Sequence, residues 1–308
     1  MRILITGSNG MLGSDLVKEL NSFYEVCGLG QDLNRHSKIE YCQTDITNRT
    51  AVFKAVSSLK PAIIIHTAAY TDVDGCELNP HQAFNVNVKG TEFVGEASNS
   101  VGATLFFISS DYVFDGTKLI PYTEEDLPNP LSVYGRSKFE AEELLKKRCY
   151  SVRIIRSSGL FGTDGKNFFK TILQASIQER ELRVVTDQKV APTYTKHLAK
   201  GLRAIVEKGN RINGWAVYHL ANEGEGTWFE AASRVLKKIN SGVNLKPISF
   251  QELGRPANRP LNSIFDMSKI KKDFSIQLPS WEEAFNQYWS ESLKQESQSL
   301  ISSHSKDN

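Results

Sequence analysis

Arg2-Ile3-Leu4-Ile5-Thr6-Gly7-Ser8-Asn9-Gly10-Met11-Leu12-Gly13 begins as a short apolar run and breaks into regularly spaced glycines. The run reads as a strand, and Leu12 to Asn21 reads as a helix with one apolar face. A glycine-rich turn between the two lets the backbone approach a pyrophosphate. The free N–H groups and positive dipole end of the helix then stabilise its charge. The spacing is Gly-x-x-Gly-x-x-Gly, and what makes it informative is the strand before it and the helix after it. Gly7, Asn9, Gly10, Met11, Leu12 and Gly13 are therefore placed against a dinucleotide.

The same alternation continues outward from this turn. Tyr24 to Gly28, Ile39 to Gln43, Ala62 to Thr67, Thr104 to Ser109 and Ser151 to Arg156 read as further strands. Arg49 to Leu59, Pro80 to Val101 and Tyr134 to Arg148 read as the helices between them. Ala62-Ile63-Ile64-Ile65 is apolar at every position, as a strand buried on both faces must be. The pattern predicts an α/β fold with a doubly wound parallel sheet of Rossmann type over residues 1–156. A smaller α/β substrate-binding part, interleaved with the first, is expected over 157–295. It holds helices at Phe168 to Glu179, Thr195 to Lys208, Phe229 to Ile239 and Trp281 to Glu296, and an extended piece at Ala216 to Leu220. Residues 296–308 are polar and read as a frayed tail.

A chain of 308 residues with 40% hydrophobic content is long enough for about two domains and a proper core. Its 37 Lys and Arg against 35 Asp and Glu leave a charge of +2, which argues against nucleic acid as a partner. No apolar run approaches the roughly 18 residues of a membrane span, and the first residues do not read as a secretory signal. The expectation is a soluble, cytoplasmic protein that does not associate with a membrane. Cys27, Cys42, Cys76 and Cys149 are far apart, and the histidines form no pair at ligand spacing, so free thiols and no metal are expected.

Tyr134 and Lys138 lie four apart, on one face of a helix. A neighbouring cation favours phenolate and is expected to lower the tyrosine pKa from about 10 toward neutrality. Ser109-Ser110-Asp111-Tyr112 ends the preceding strand, where open parallel sheets bind their ligands, so the Ser110 hydroxyl and Tyr134 can converge on one carbonyl oxygen. At the end of the second strand Gly30 and Gln31 stand where an acidic residue would hold a free ribose, with Asp32 and Arg35 beyond. NADPH and NADH both remain open as cofactors. Asp45 either meets the adenine edge or caps the next helix.

These features resemble the extended short-chain dehydrogenase/reductases that act on nucleotide sugars. More specific are His66-Thr67-Ala68-Ala69-Tyr70-Thr71-Asp72-Val73-Asp74, Ser109-Ser110-Asp111-Tyr112-Val113-Phe114-Asp115-Gly116, Asp187-Gln188 and Arg259-Pro260-Leu261-Asn262-Ser263. They resemble the dTDP-4-dehydrorhamnose reductase family from residue 1 to about 290. The resemblance implies reduction of the C4 keto group of a 4-keto-6-deoxyhexose, with Ser110, Tyr134 and Lys138 catalytic. It adds Asp45, Ile46, Ala68, Ala69 and Tyr70 to the cofactor site. It assigns Val73, Asp74, Ser110, Asp111, Tyr112, Asp187, Gln188 and Arg259 to the nucleotide-sugar substrate, Val73 and Asp74 in the loop after the fourth strand. An arginine suits a diphosphate because its planar fork donates two parallel hydrogen bonds. Relatives commonly pair, so a homodimer is expected.

Two departures from the family pattern stand out. Gly159 replaces a tryptophan after the sixth strand, which bears on the identity of the sugar, and Ala141-Glu142 replaces Gly-Glu. Two alternatives remain: a 4-ketoreductase for another nucleotide sugar, and a non-catalytic subunit resembling the regulatory β subunit of methionine adenosyltransferase. The intact Ser110, Tyr134 and Lys138 argue against the second.

Overall fold

The computed structural model describes residues 1–209 and 213–304. Seven parallel strands form the central sheet: β1 (Arg2–Thr6), β2 (Glu25–Gly30), β3 (Glu40–Gln43), β4 (Ile63–His66), β5 (Thr104–Ser110), β6 (Ser151–Ser157) and β7 (Gly214–His219). Their order is β7-β6-β5-β4-β1-β2-β3. The chain builds outward on one side of β1, then crosses back and builds outward on the other. This is the doubly wound arrangement, with its crevice between β1 and β4.

Alternation along the strands divides the core. Ile3, Ile5, Ile63 and Ile65 face one side with Leu16, Leu198 and Leu202, while Leu4 and Ile64 face the other with Val52, Val94 and Leu145. Burial on both faces explains why Ile63-Ile64-Ile65 carries no polar residue. A third, aromatic-rich cluster of Phe161, Phe169, Tyr194, Trp281, Phe285 and Tyr288 supports the second half.

Several elements differ from the sequence expectation. The extended piece near Ala216 is β7, an edge strand of the central sheet paired with β6, and the helix Thr195–Glu207 packs on the first helix, α1 (Met11–Leu20). Both lie beyond residue 156, so the chain returns to the sheet after leaving it. The helix expected over Pro80 to Val101 is broken by a π-helical turn at Asn85–Gly90. The tail expected to fray from residue 296 is instead helical over Lys294–His304. Ser297 is buried there, Lys170 pairs with Glu296 at 3.2 Å, and Leu300 packs on the third cluster. Residues 305–308 lie outside the described residues. No helix among the described residues is long and apolar enough to cross a membrane.

Candidate active site

The glycine turn is shaped by close approach. Gly7 has φ +69°, and a β-carbon on Gly13 would collide with the Gly7 carbonyl oxygen, whereas Gly10 is less crowded. Gly10 caps α1 without a side-chain hydrogen bond, and no acidic residue stands in the first turn. The first-turn N–H groups therefore remain for an anionic ligand, which fits a dinucleotide pyrophosphate. Gly13→Ala is expected to cost about 1–3 kcal/mol through overpacking and to weaken cofactor binding. Thermal unfolding and a cofactor fluorescence titration check this, and wild-type values in both would contradict it.

Asn9 ties this turn to the segment after β2: its amide donates to the Leu33 carbonyl at 2.8 Å and its oxygen accepts from the Arg35 N–H at 3.2 Å. Asp45 does not cap the next helix. It accepts from the Thr47 N–H at 2.8 Å, while Asn48 caps Arg49–Leu59. Ile46 is buried beneath Gly90. Ala68 lies directly against Gly7, so the turns after β1 and β4 meet at the crevice. Tyr70 is held through its backbone, its N–H donating to Asn87 Oδ1 at 2.7 Å and its carbonyl accepting from Asn87 Nδ2 at 3.0 Å. Asn87 Nδ2 also donates to Ser137 Oγ at 3.0 Å. Asn87 was missed in the sequence; its signal was an asparagine inside an apolar helical stretch, where its propensity is poor, and it sits in the π turn.

The helix α2 (Val133–Arg148) starts at Ser132, whose side chain accepts from the Gly135 N–H at 3.1 Å. A β-carbon at Gly135 would strike the Tyr112 carbonyl. That close approach sets Tyr134 edge-on to Tyr112, ring centroids 5.6 Å apart, beside the Ser110 hydroxyl at the end of β5. Lys138 is only 3% exposed, with its Nζ 4.1 Å from the Phe107 ring centroid. Burial pulls its pKa down to about 7, opposed by Glu142 one turn on.

The expected fall of the Tyr134 pKa is not found. Burial, then the Asp111 carboxylate, push the phenol above its ordinary value, and only the Ser110 hydroxyl acts the other way. Lys138 is drawn over Phe107, and desolvation of a phenolate outweighs the help of a cation on the next turn. His66, at the end of β4, is bridged by the Thr6 and Thr91 hydroxyls at 2.6 and 3.0 Å, and burial lowers its pKa to about 3. The ring is therefore neutral.

Val73 and Asp74 are not in a loop; they form the first turn of the helix Val73–Leu78, capped by Asp72. Asp74 Oδ2 accepts from Arg259 at 3.0 Å and from Arg255 at 3.4 Å. Partial burial raises the Asp74 pKa, but these cations outweigh it and the group lies below the ordinary range. Arg259 is also beside Tyr112, which gathers Asp74, Arg259, Tyr112 and Tyr134 on one side of the crevice. Lys189 N–H donates to the Leu261 carbonyl at 2.7 Å, joining the strand after Asp187-Gln188 to the segment that carries Arg259. Gln188 is buried, and the Asp187 carboxylate accepts from the Phe250 N–H at 2.9 Å, so it serves the backbone. Asp111 is buried as well, bonded by the Ser110 hydroxyl at 2.9 Å. Val113 and Phe114 are core residues.

The family described as RmlD substrate binding domain matches residues 1–293 of this sequence. The chain belongs to that family. It is 38% identical over 294 residues to dTDP-4-dehydrorhamnose reductase of Aggregatibacter actinomycetemcomitans, covering 92% of this chain and 96% of that one. It is 32% identical to the spore coat polysaccharide biosynthesis protein SpsK of Bacillus subtilis, covering 94% and 97%. The crystal structure of dTDP-4-dehydrorhamnose reductase from Bacillus anthracis in complex with NADP superposes with a TM-score of 0.86 at 36% identity, covering 94% of this chain and 99% of that one.

Within this RmlD frame the departure at Gly159 has a visible consequence. The glycine has φ +55°, and a β-carbon there would lie 3.4 Å from the Trp228 ring. An indole from the second half of the chain thus packs against Gly159.

Proposed function

We propose that this protein is an NAD(P)H-dependent reductase that converts the C4 keto group of dTDP-4-dehydro-L-rhamnose to the alcohol of dTDP-L-rhamnose. The observation that carries this reading is that Tyr134 lies beside the Ser110 hydroxyl at the carboxyl end of β5, with Lys138 one helical turn further on. A bound nicotinamide supplies hydride to C4. Tyr134 holds the proton that the carbonyl oxygen must gain, and its raised pKa keeps that proton in place until charge develops on the oxygen. The Ser110 hydroxyl hydrogen-bonds the same oxygen. Lys138 orients the cofactor ribose and keeps a positive charge near the developing tyrosinate.

Asp74, Arg259 and Tyr112 flank the space for the nucleotide sugar, Arg259 serving its diphosphate. Gly7, Asn9, Gly10, Met11, Leu12 and Gly13 would hold the cofactor pyrophosphate, with Ala68, Ala69 and Tyr70 lining the nicotinamide side. The four cysteines are free thiols, which suits a cytoplasmic enzyme, and family habit favours a homodimer. Gly159, in place of the tryptophan that the resemblance leads one to expect, supports a second reading, reduction of a different 4-keto sugar on a related nucleotide.

The test is oxidation of NADPH or NADH in the presence of dTDP-4-dehydrorhamnose generated in situ. Turnover with either cofactor is expected. No turnover with either defeats the first reading, and turnover only with another nucleotide sugar selects the second.

A further inference from the structure

Ser110 has one proton to donate and two lone pairs to accept with. In the structure it gives that proton to Asp111 Oδ1 at 2.9 Å and accepts from the Tyr112 N–H at 3.2 Å. A hydroxyl so committed cannot at the same time donate to a substrate oxygen. A proton on Asp111 would reverse the pair. The carboxylic O–H would then donate to Ser110 Oγ on the side that Tyr134 leaves when its phenol turns to the substrate oxygen, and the Ser110 hydrogen would be released toward the cleft. The Tyr112 contact is kept in both states.

We propose that Asp111 is a positioning residue whose protonated form turns the Ser110 hydroxyl toward the carbonyl oxygen to be reduced. The inference rests on the reductase reading above and assigns Asp111 a place behind the serine, in contrast to the substrate contact implied by resemblance. No bond other than O–H is made or broken. The proton stays on Asp111, and only the direction of two hydrogen bonds changes.

Burial favours this state, and the hydroxyls around the carboxyl oppose it. Asp111 is 4% exposed. Burial raises its pKa to about 6, against the lowering effect of the Ser263 and Ser110 hydroxyls. The Ser158 hydroxyl, also buried beside it, acts in the same lowering direction. The ionisable groups facing Asp111 are Tyr134 from α2 and Tyr112 next in sequence, both pushed upward first by burial and then by its charge, with Arg259 and Asp74 beyond Tyr112. Lys138, one turn along α2, has its pKa lowered by burial to about 7. Two protons, on Asp111 and on Lys138, are therefore needed for the active form.

The experiment is the pH profile of single-turnover reduction by the full-length protein and by Asp111→Asn. The carboxamide keeps the shape and donates permanently. In the wild type the rate should fall on the alkaline side with a limiting slope approaching two decades per pH unit. In Asp111→Asn one ionisation is removed and the slope should drop to one. In a Ser110→Ala background the Asp111→Asn change should leave the slope unaltered. Equal slopes in wild type and Asp111→Asn overturn the proposal, since a purely structural carboxyl would scale the rate without changing its pH dependence. An infrared titration of the substrate-free protein gives a second readout. A protonated carboxyl band lost on raising the pH and absent from Asp111→Asn supports the proposal. An Asp111 ionised throughout the acidic range overturns it. Absence of turnover by the wild type at every pH would defeat the reductase reading itself, while the infrared titration would still decide Asp111.

Discussion

Tyr134→Phe is expected to lower turnover by about 10²–10⁴-fold, the usual contribution of a positioned general acid, while leaving cofactor affinity within a few-fold of wild type. The ring keeps its packing: the edge contact with Tyr112 involves the aromatic body, and the helix start at Ser132 and Gly135 does not use the phenol oxygen. Only the proton is lost. Burial holds that proton above the ordinary tyrosine range, and a phenylalanine ring offers the carbonyl oxygen no acid in its place. Single-turnover kinetics with a parallel cofactor titration check this. A variant with near wild-type turnover would remove Tyr134 from the chemistry.

The second large effect is expected beneath the site. Glu142 on α2 receives two hydrogen bonds from Arg156 on β6, at 3.0 and 2.7 Å, and a third from Ser109 on β5 at 2.6 Å. Both charged side chains are essentially inaccessible, at 0% and 1% exposure. This cluster ties the helix that carries Tyr134 and Lys138 to the strand that carries Ser110. Glu142→Ala strands a buried guanidinium and should cost about 3–5 kcal/mol, because an uncompensated charge in the interior is worse than none. A loss of this size corresponds to a fall in Tm on the order of 10 °C. Glu142→Leu combined with Arg156→Met should recover much of it, since desolvation of both charges is then avoided. Thermal denaturation of the two single variants and the double variant decides the matter, and an unchanged Tm in Glu142→Ala would contradict the coupling. The family departure at Ala141-Glu142 thus leaves the anchoring carboxylate in place.

The parts legible in the sequence were those written locally. Strand β1, the glycine turn and α1 follow from apolar period and glycine placement, and the strands up to β6 fall within two residues of their expected ends. Less was legible where a side chain's partner is remote in the chain. Arg259 and Asp74 are 185 positions apart, yet they meet in one ion pair. Asn87, which links Tyr70 to Ser137, looked like one more polar residue in a helix.

The amino-acid order by itself determined the parallel sheet, the dinucleotide turn and the residue types required for carbonyl reduction, because backbone periodicity and glycine sterics act over a few neighbouring positions. Only the tertiary structure decided that β7 returns to the sheet edge, that the final helix extends past residue 296, and that Asp111 lies buried behind Ser110. It also decided that Tyr134 is harder to ionise than an ordinary phenol. Desolvation and ion pairing depend on what surrounds a group in space, and that environment exists only once distant segments have packed together.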